Sequence, residues 1–341
     1  MKKKIFLLII SIFVIACSSD SGGDSGGTDN GGGNNNGGGN NNGGGNNSGT
    51  TDTTDPNDFD SITSPGDTTY YISYNSGNDN NDGKSEDKAF KNLGKVNSIT
   101  FKPGDKLMFK SGETWKGYFK LRGSGSQDKP IVIESYSSGD KPKIDGNGYQ
   151  AAVFIENQEY VNITGLDLTN EASHKNSNGS VKLMNQSSRS GEDERFGLLV
   201  LRHGSSNIND IKLDDIKISE IYPTPSNSDN NHQGYGIRFE SLNDDSVLNY
   251  YDGIEIENLD ISNTGHYGIH IVNRMSGAQP DYYHRNIVIK DSKFNNTGGS
   301  GIVLARCKDV LVENSEFKGS GSGNDSRMWN RGSSLWTYTC N

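Results

Sequence analysis

The chain has 341 residues, with 43 acidic side chains against 33 basic ones and a net charge of -10. That balance argues against a nucleic-acid binder, which would carry a basic excess. Beyond a low-complexity N-terminal stretch, about 275 residues remain, ample for one hydrophobic core.

Lys2, Lys3 and Lys4 precede an apolar run from Ile5 to Ala16 that stops at Cys17. The run is too short to span a bilayer and reads as an export signal. Residues 14–17, VIAC, resemble the lipobox of bacterial lipoproteins, in which the cysteine thiol is diacylglycerated and becomes the first mature residue. The resemblance implies a signal peptide over 1–17 and a membrane partner held through lipid on Cys17. With Ser18 next, it also implies a surface-exposed location on the outer membrane. The other reading is an ordinary secretory signal with an incidental cysteine. Residues 18–66 are Gly, Asn, Ser, Thr and Asp with almost no apolar side chain, so they cannot offset their ordering entropy and are expected to form a flexible tether.

Residues 67–130 read as a cap and first coils. Residues 70–73 (YYIS) and the Asn/Asp/Gly run at 76–83 form a strand and a tight turn. An EF-hand reading of that run fails, because position twelve falls on Ala89, which has no carboxylate. Ser85 is placed to N-cap a short helix with Glu86 and Asp87 in its first turn and Ala89, Phe90, Leu93 and Val96 on one face, covering the end of an apolar column.

From 131 to the end the chain repeats itself. Residues 161–168 (VNITGLDL), 211–218 (IKLDDIKI), 254–261 (IEIENLDI), 287–294 (IVIKDSKF) and 310–317 (VLVENSEF) share one pattern of two alternating strands around a single extra residue. That bend residue is Gly165, Asp215, Asn258, Asp291 or Asn314, the types that best tolerate a left-handed backbone. A second set, 197–201 (GLLVL), 236–240 (GIRFE), 268–272 (GIHIV), 301–305 (GIVLA) and 334–338 (SLWTY), alternates with the first. The shortest step, from Ile287 to Val310, is 23 residues, and the others are 33, 43 and 50. Such periods mean a solenoid, with loops inserted in the longer turns.

With residues 101–117 (FKPGDKLMFKSGETWKG), the entry strand and turn resemble the start of secreted right-handed parallel β-helix proteins of the pectate-lyase-like superfamily, especially bacterial polysaccharide lyases and glycoside hydrolases. The resemblance runs from about Tyr70 to the C-terminus and implies an all-β, three-sheet right-handed parallel β-helix. The last strand stops without a capping element, which implies a solenoid truncated at its C-terminus.

Aligning the second strand set puts Leu199, Arg238, His270, Val303 and Trp336 in one outward row, with Ile237, Phe239, Ile269 and Ile271 inward. Rungs lie ~4.8 Å apart, so Arg238 and His270 are neighbours and Glu240 is one outward position along, an acid/base cluster proposed as catalytic. The insertions near 171–195, 222–234, 242–252, 274–286 and 320–332 border this strand and would wall a trough for an extended polymer. Arg202, Arg274, Arg306, Tyr235, Tyr267 and Trp336 are its expected substrate-binding residues, within a wider set of border aromatics.

Two chemistries fit. A lyase needs cations on a uronate carboxylate and a base, here the arginines and His270; a hydrolase needs a pair of carboxyls. The arginine content favours an anionic polysaccharide. The other class of reading is a non-catalytic glycan-binding or adhesin-like surface solenoid using the same trough. Calcium remains possible through the lyase resemblance, but this face shows no clear carboxylate cluster and no metal ligands are assigned. Cys307 and Cys340 occupy equivalent positions one rung apart, as a disulfide or as two stacked buried thiols. A monomer is expected.

Overall fold

The repeat segments become stacked parallel strands. The structure, a computed structural model, describes residues 59–171, 194–204, 207–223, 233–242, 250–274 and 280–340. The lipobox with Cys17 and nearly all of the expected tether lie outside these residues. The last part of the tether does not: Ile62–Thr63 is a strand paired with Ile99–Thr100, because Ile62 packs against the core.

Three parallel sheets run the length of the molecule. The first has eight strands, from Thr69–Ile72 to Val310–Glu313; the second has seven, from Thr114–Lys116 to Glu316–Lys318; the third has seven, from Phe119–Leu121 to Leu335–Tyr338. The chain visits them in turn, as a three-sheet β-helix requires. Val161, Ile211, Ile254, Ile287 and Val310 stand in one register column, as the sequence pattern predicts.

The bend residues carry the handedness expected of them. Asp215, Asn258, Asp291 and Asn314 have φ between 49° and 53°, and Gly165 has φ 69°. Bonding along the axis runs mainly through backbone amides, as in Asp215 N to Glu257 O at 3.2 Å and Asn258 N to Lys290 O at 3.3 Å. The recurrent glycine opening the third-sheet strands has a packing cause. A Cβ on Gly268 would meet the Phe294 ring at 2.7 Å, and one on Gly301 the Phe317 ring at 2.5 Å.

One element differs from expectation. The continuous helix from Ser85 is replaced by a 3-10 turn at Glu86–Lys88 and a five-residue α-helix at Leu93–Asn97, and the Ser85 side chain makes no cap. The Asp79 carboxylate accepts hydrogen bonds from Lys91 N at 2.8 Å and Asn92 N at 3.0 Å, while Phe90 bridges Ile72, so the backbone between the two turns is held extended. Ala89, Phe90, Leu93 and Val96 are still buried.

Cys307 and Cys340 are free thiols. Burial, then a hydrogen bond to Cys340, raises the Cys307 pKa; the same hydrogen bond brings Cys340 down to about 7. Cys307 is buried and Cys340 only partly so, which fits neither sequence alternative completely.

Candidate functional site

The third sheet carries apolar side chains on both faces. Inward, Ile237, Phe239, Ile269 and Ile271 are completely buried in the central column. Outward, Phe154, Phe196, Leu199, Leu201, Tyr235, Tyr267 and Val303 form a second cluster against which Trp329 packs. Register places Lys120, Phe154, Leu199, Arg238, His270, Val303 and Trp336 in one row, containing the row read from the sequence.

Arg238 is at the centre of this cluster. Its Nε lies 3.0 Å from Glu240 Oε2 and its terminal nitrogen 3.3 Å from Glu194 Oε1, while Arg274 Nε lies 3.0 Å from the other Glu240 oxygen. Arg238 and Glu240 are buried, so removing either partner would strand a charge at low dielectric. Burial works against the Arg238 charge, and neighbouring Glu240, Tyr235 and Glu194 outweigh it, leaving the pKa above the ordinary arginine value.

Above the ion pairs is a floor of rings. Tyr235 stacks on Phe196 at 5.4 Å, on His266 at 5.3 Å and on His270 at 5.9 Å, with the Arg238 guanidinium 4.7 Å from its centroid. Tyr267 meets His270 edge-on at 5.1 Å, and its hydroxyl is pushed up to about 12 by burial and by Tyr235. Trp329 meets His266 at 4.3 Å. His266, His270 and Trp329 are half-buried and reach solvent.

The predicted trio of Arg238, Glu240 and His270 therefore does converge, but as a buried ion-pair network with an imidazole above it. Both Glu240 oxygens are engaged by guanidinium groups, so this carboxylate holds the network together. The other assignments divide. Trp336 is exposed on the last strand of the sheet, and the Arg274 side chain is 49% exposed. Arg202 is fully buried with both terminal nitrogens donating to Gly204 O at 3.0 Å, so it braces a turn and does not face a groove. Arg306 donates to Asn273 O. Tyr235 and Tyr267 are buried at 4% and 7% exposure, with their faces taken by neighbouring rings. Tyr222, Tyr251 and Tyr283, aromatics beside the insertions, are buried too.

Sequence reasoning missed one partner of this network and a second cluster. Glu194 closes the 171–195 insertion and precedes Arg195, which pairs with Gly234, so its place beside the Tyr235 rung was readable only once that register was known. A second titratable cluster occupies the earlier rungs, with Glu156 2.8 Å from Lys120 Nζ and 3.1 Å from His203 Nε2. Burial would raise the Glu156 pKa, and Lys120 and His203 together bring it below the usual carboxylate value. Among the described residues, no group of three or more His, Cys, Asp or Glu side chains is arranged to hold a metal ion, so no calcium ligands are assigned.

No family model matches this chain. In an alignment 315 positions long that takes in 72% of this chain, it is 24% identical to the lacto-N-biosidase of Bifidobacterium longum, of which it covers 19%. Native and selenomethionine crystal structures of the GH136 lacto-N-biosidase of Eubacterium ramulus superpose on it with a TM-score of 0.63. They are 22% and 21% identical and are matched over 80% of this chain and 50% of theirs. The likeness is one of fold. The chain spans about a fifth of the curated relative and half of the crystallised one.

Proposed function

We propose that this chain is the β-helix of a carbohydrate-active enzyme, a glycoside hydrolase that takes a neutral glycan on the outer face of the third sheet and is held to the outer membrane through lipid on Cys17. The observation that carries the choice of chemistry is the engagement of the arginines. A lyase must set cations against a uronate carboxylate. Here Arg238 is spent on Glu194 and Glu240, Arg202 on Gly204 O and Arg306 on Asn273 O, and the half-exposed Arg274 already pairs with Glu240. These four side chains thus give no basis for an anionic substrate, while half-exposed rings suited to sugar faces remain. The two lacto-N-biosidases support a hydrolase by name and fold.

In this reading Glu194, 11% exposed at its side chain against 1% for Glu240 and positioned by Arg238, is the carboxylate that takes a proton from the attacking water. His270, in place of the second carboxyl, delivers a proton to the leaving oxygen, so that the bond from the sugar carbon to water's oxygen forms as the glycosidic bond breaks. The test is incubation of the full-length chain with neutral, N-acetylated and uronate oligosaccharides, following reducing ends and the ultraviolet absorbance of unsaturated uronates. Reducing ends without that absorbance are expected, with Glu194→Gln and His270→Ala each lowering kcat about a hundredfold or more. Absorbance on a uronate polymer would make the protein a lyase. Binding without either signal would leave a glycan-binding solenoid.

A further inference from the structure

The segment after the strand Glu316–Lys318 does not lead directly into the next rung; it turns back along the solenoid. Arg327 lies over the Tyr222 ring at 4.1 Å and pairs with Glu171 at 2.8 Å, and Glu171 and Tyr222 are register partners on neighbouring strands of the second sheet. From Tyr222 that sheet passes through Asp260–Thr264 and Lys293–Thr297 before reaching Glu316–Lys318. Arg327 therefore reaches back across several rungs, to a carboxylate 156 residues earlier in sequence.

The backbone of the segment is fastened to the corner between the second and third sheets. Trp329 N donates to Gly265 O at 3.0 Å, Arg331 N to Gly298 O at 3.2 Å and Gly321 N to Gly299 O at 2.9 Å. The corner is made of glycine for want of room: a Cβ on Gly298 would stand 2.1 Å from Gly265 O and 2.8 Å from Trp329 N. Asp325 completes the clamp, its two oxygens accepting Arg327 Nε at 2.9 Å and a terminal Arg327 nitrogen at 2.8 Å. Pairing with Asp325 and Glu171 keeps Arg327 charged, since it raises the guanidinium pKa above its ordinary value against the opposing effect of burial. The clamp sets Trp329 against His266 and 6.0 Å from Tyr267, with Arg331 4.9 Å from the indole ring.

We infer that residues 319–333 form one wall of the sugar site, in which Trp329 receives the C–H face of a pyranose ring and Arg327 is the positioning residue that holds it there. The inference rests on the carbohydrate reading above and adds to it a named contact and a substrate feature, a pyranose with an unobstructed apolar face. An indole anchored at its backbone and at one edge binds without losing much side-chain entropy. Arg331 beside the same ring supplies donors for sugar hydroxyls.

The test uses the full-length chain and p-nitrophenyl glycosides of galactose, N-acetylglucosamine and lacto-N-biose, with lacto-N-biose itself as a fluorescence titrant. The chain has three tryptophans, and Trp115 is buried in the core, so titrating the wild type beside Trp336→Phe, with KM measured for both, separates the Trp329 signal from that of Trp336. Trp329→Ala and Arg327→Met should each raise KM about tenfold with a much smaller change in kcat, and Arg327→Met, which keeps the indole, should also weaken the fluorescence quench by lacto-N-biose. Arg327→Lys should recover part of both, and Lys212→Ala on the first sheet should keep the wild-type KM. A cleaved glycoside whose KM is untouched by Trp329→Ala and Arg327→Met overturns this inference alone, even if Arg327→Met lowers the melting temperature. A wild-type chain that neither cleaves nor binds any of these sugars overturns the carbohydrate reading and this inference with it.

Discussion

Arg238 carries more of the account than any other side chain, because Glu194 and Glu240 share its guanidinium and neither it nor Glu240 reaches water. Arg238→Met should cost about 3–5 kcal/mol in urea unfolding, since Glu240 keeps its charge and loses a partner. Arg238→Met with Glu240→Leu should cost clearly less than the single change, because the most deeply buried carboxylate is then removed with its partner and only the less buried Glu194 loses a contact. His284 makes a different kind of demand. Its Nδ1 accepts the Tyr251 amide at 3.0 Å, and burial, with Arg202 nearby, pushes its pKa down from 6.5 to about 4. Between these values the unfolded chain binds a proton and the folded chain does not. The contribution is therefore complete above pH 6.5, falls as the pH drops toward 4 and is flat below, about 3 kcal/mol in all. In His284→Asn, whose amide oxygen can still accept from Tyr251, the urea midpoint should change less between pH 7 and pH 4.5 than in the wild type.

At the level of elements, what was legible followed from repetition. The bend column at Asp215, Asn258, Asp291 and Asn314 was readable because one backbone conformation recurs at every rung and admits few residue types. The outward row through Arg238 and His270 was readable because register in a parallel stack is set by the inward alternation of Ile237, Phe239, Ile269 and Ile271. The cap helix was not, because Asp79, from the preceding turn, outcompetes helix formation at Lys91 and Asn92. Nor was the second apolar layer on the third sheet. Strand alternation says which way Leu199 or Arg238 points, and it is silent on what covers them. Arg202 shows the same limit: a charged side chain at a strand end reads as a groove residue until Gly204 O is seen to take it.

For the whole molecule, a parallel β-helix offers three long faces, and here they are chemically distinct. The first sheet presents charge ladders to solvent, such as Lys212 with Glu255 at 2.8 Å and Lys290 with Glu257 at 2.8 Å, pairs worth little in water. The third sheet alone among the described faces combines a buried ion-pair network, stacked imidazoles and a wall fastened along its border. That asymmetry is the reason to place the sugar there. The measurement that tests it most directly is a crystal structure of the full-length chain, with Glu194→Gln to slow turnover, soaked with the neutral oligosaccharide it processes best. Sugar density against Trp329 and within hydrogen-bonding reach of His270 is the predicted result. Density on the first-sheet face near Leu311 or at the Lys120–Glu156–His203 cluster, with the third sheet bare around His270, would contradict the account.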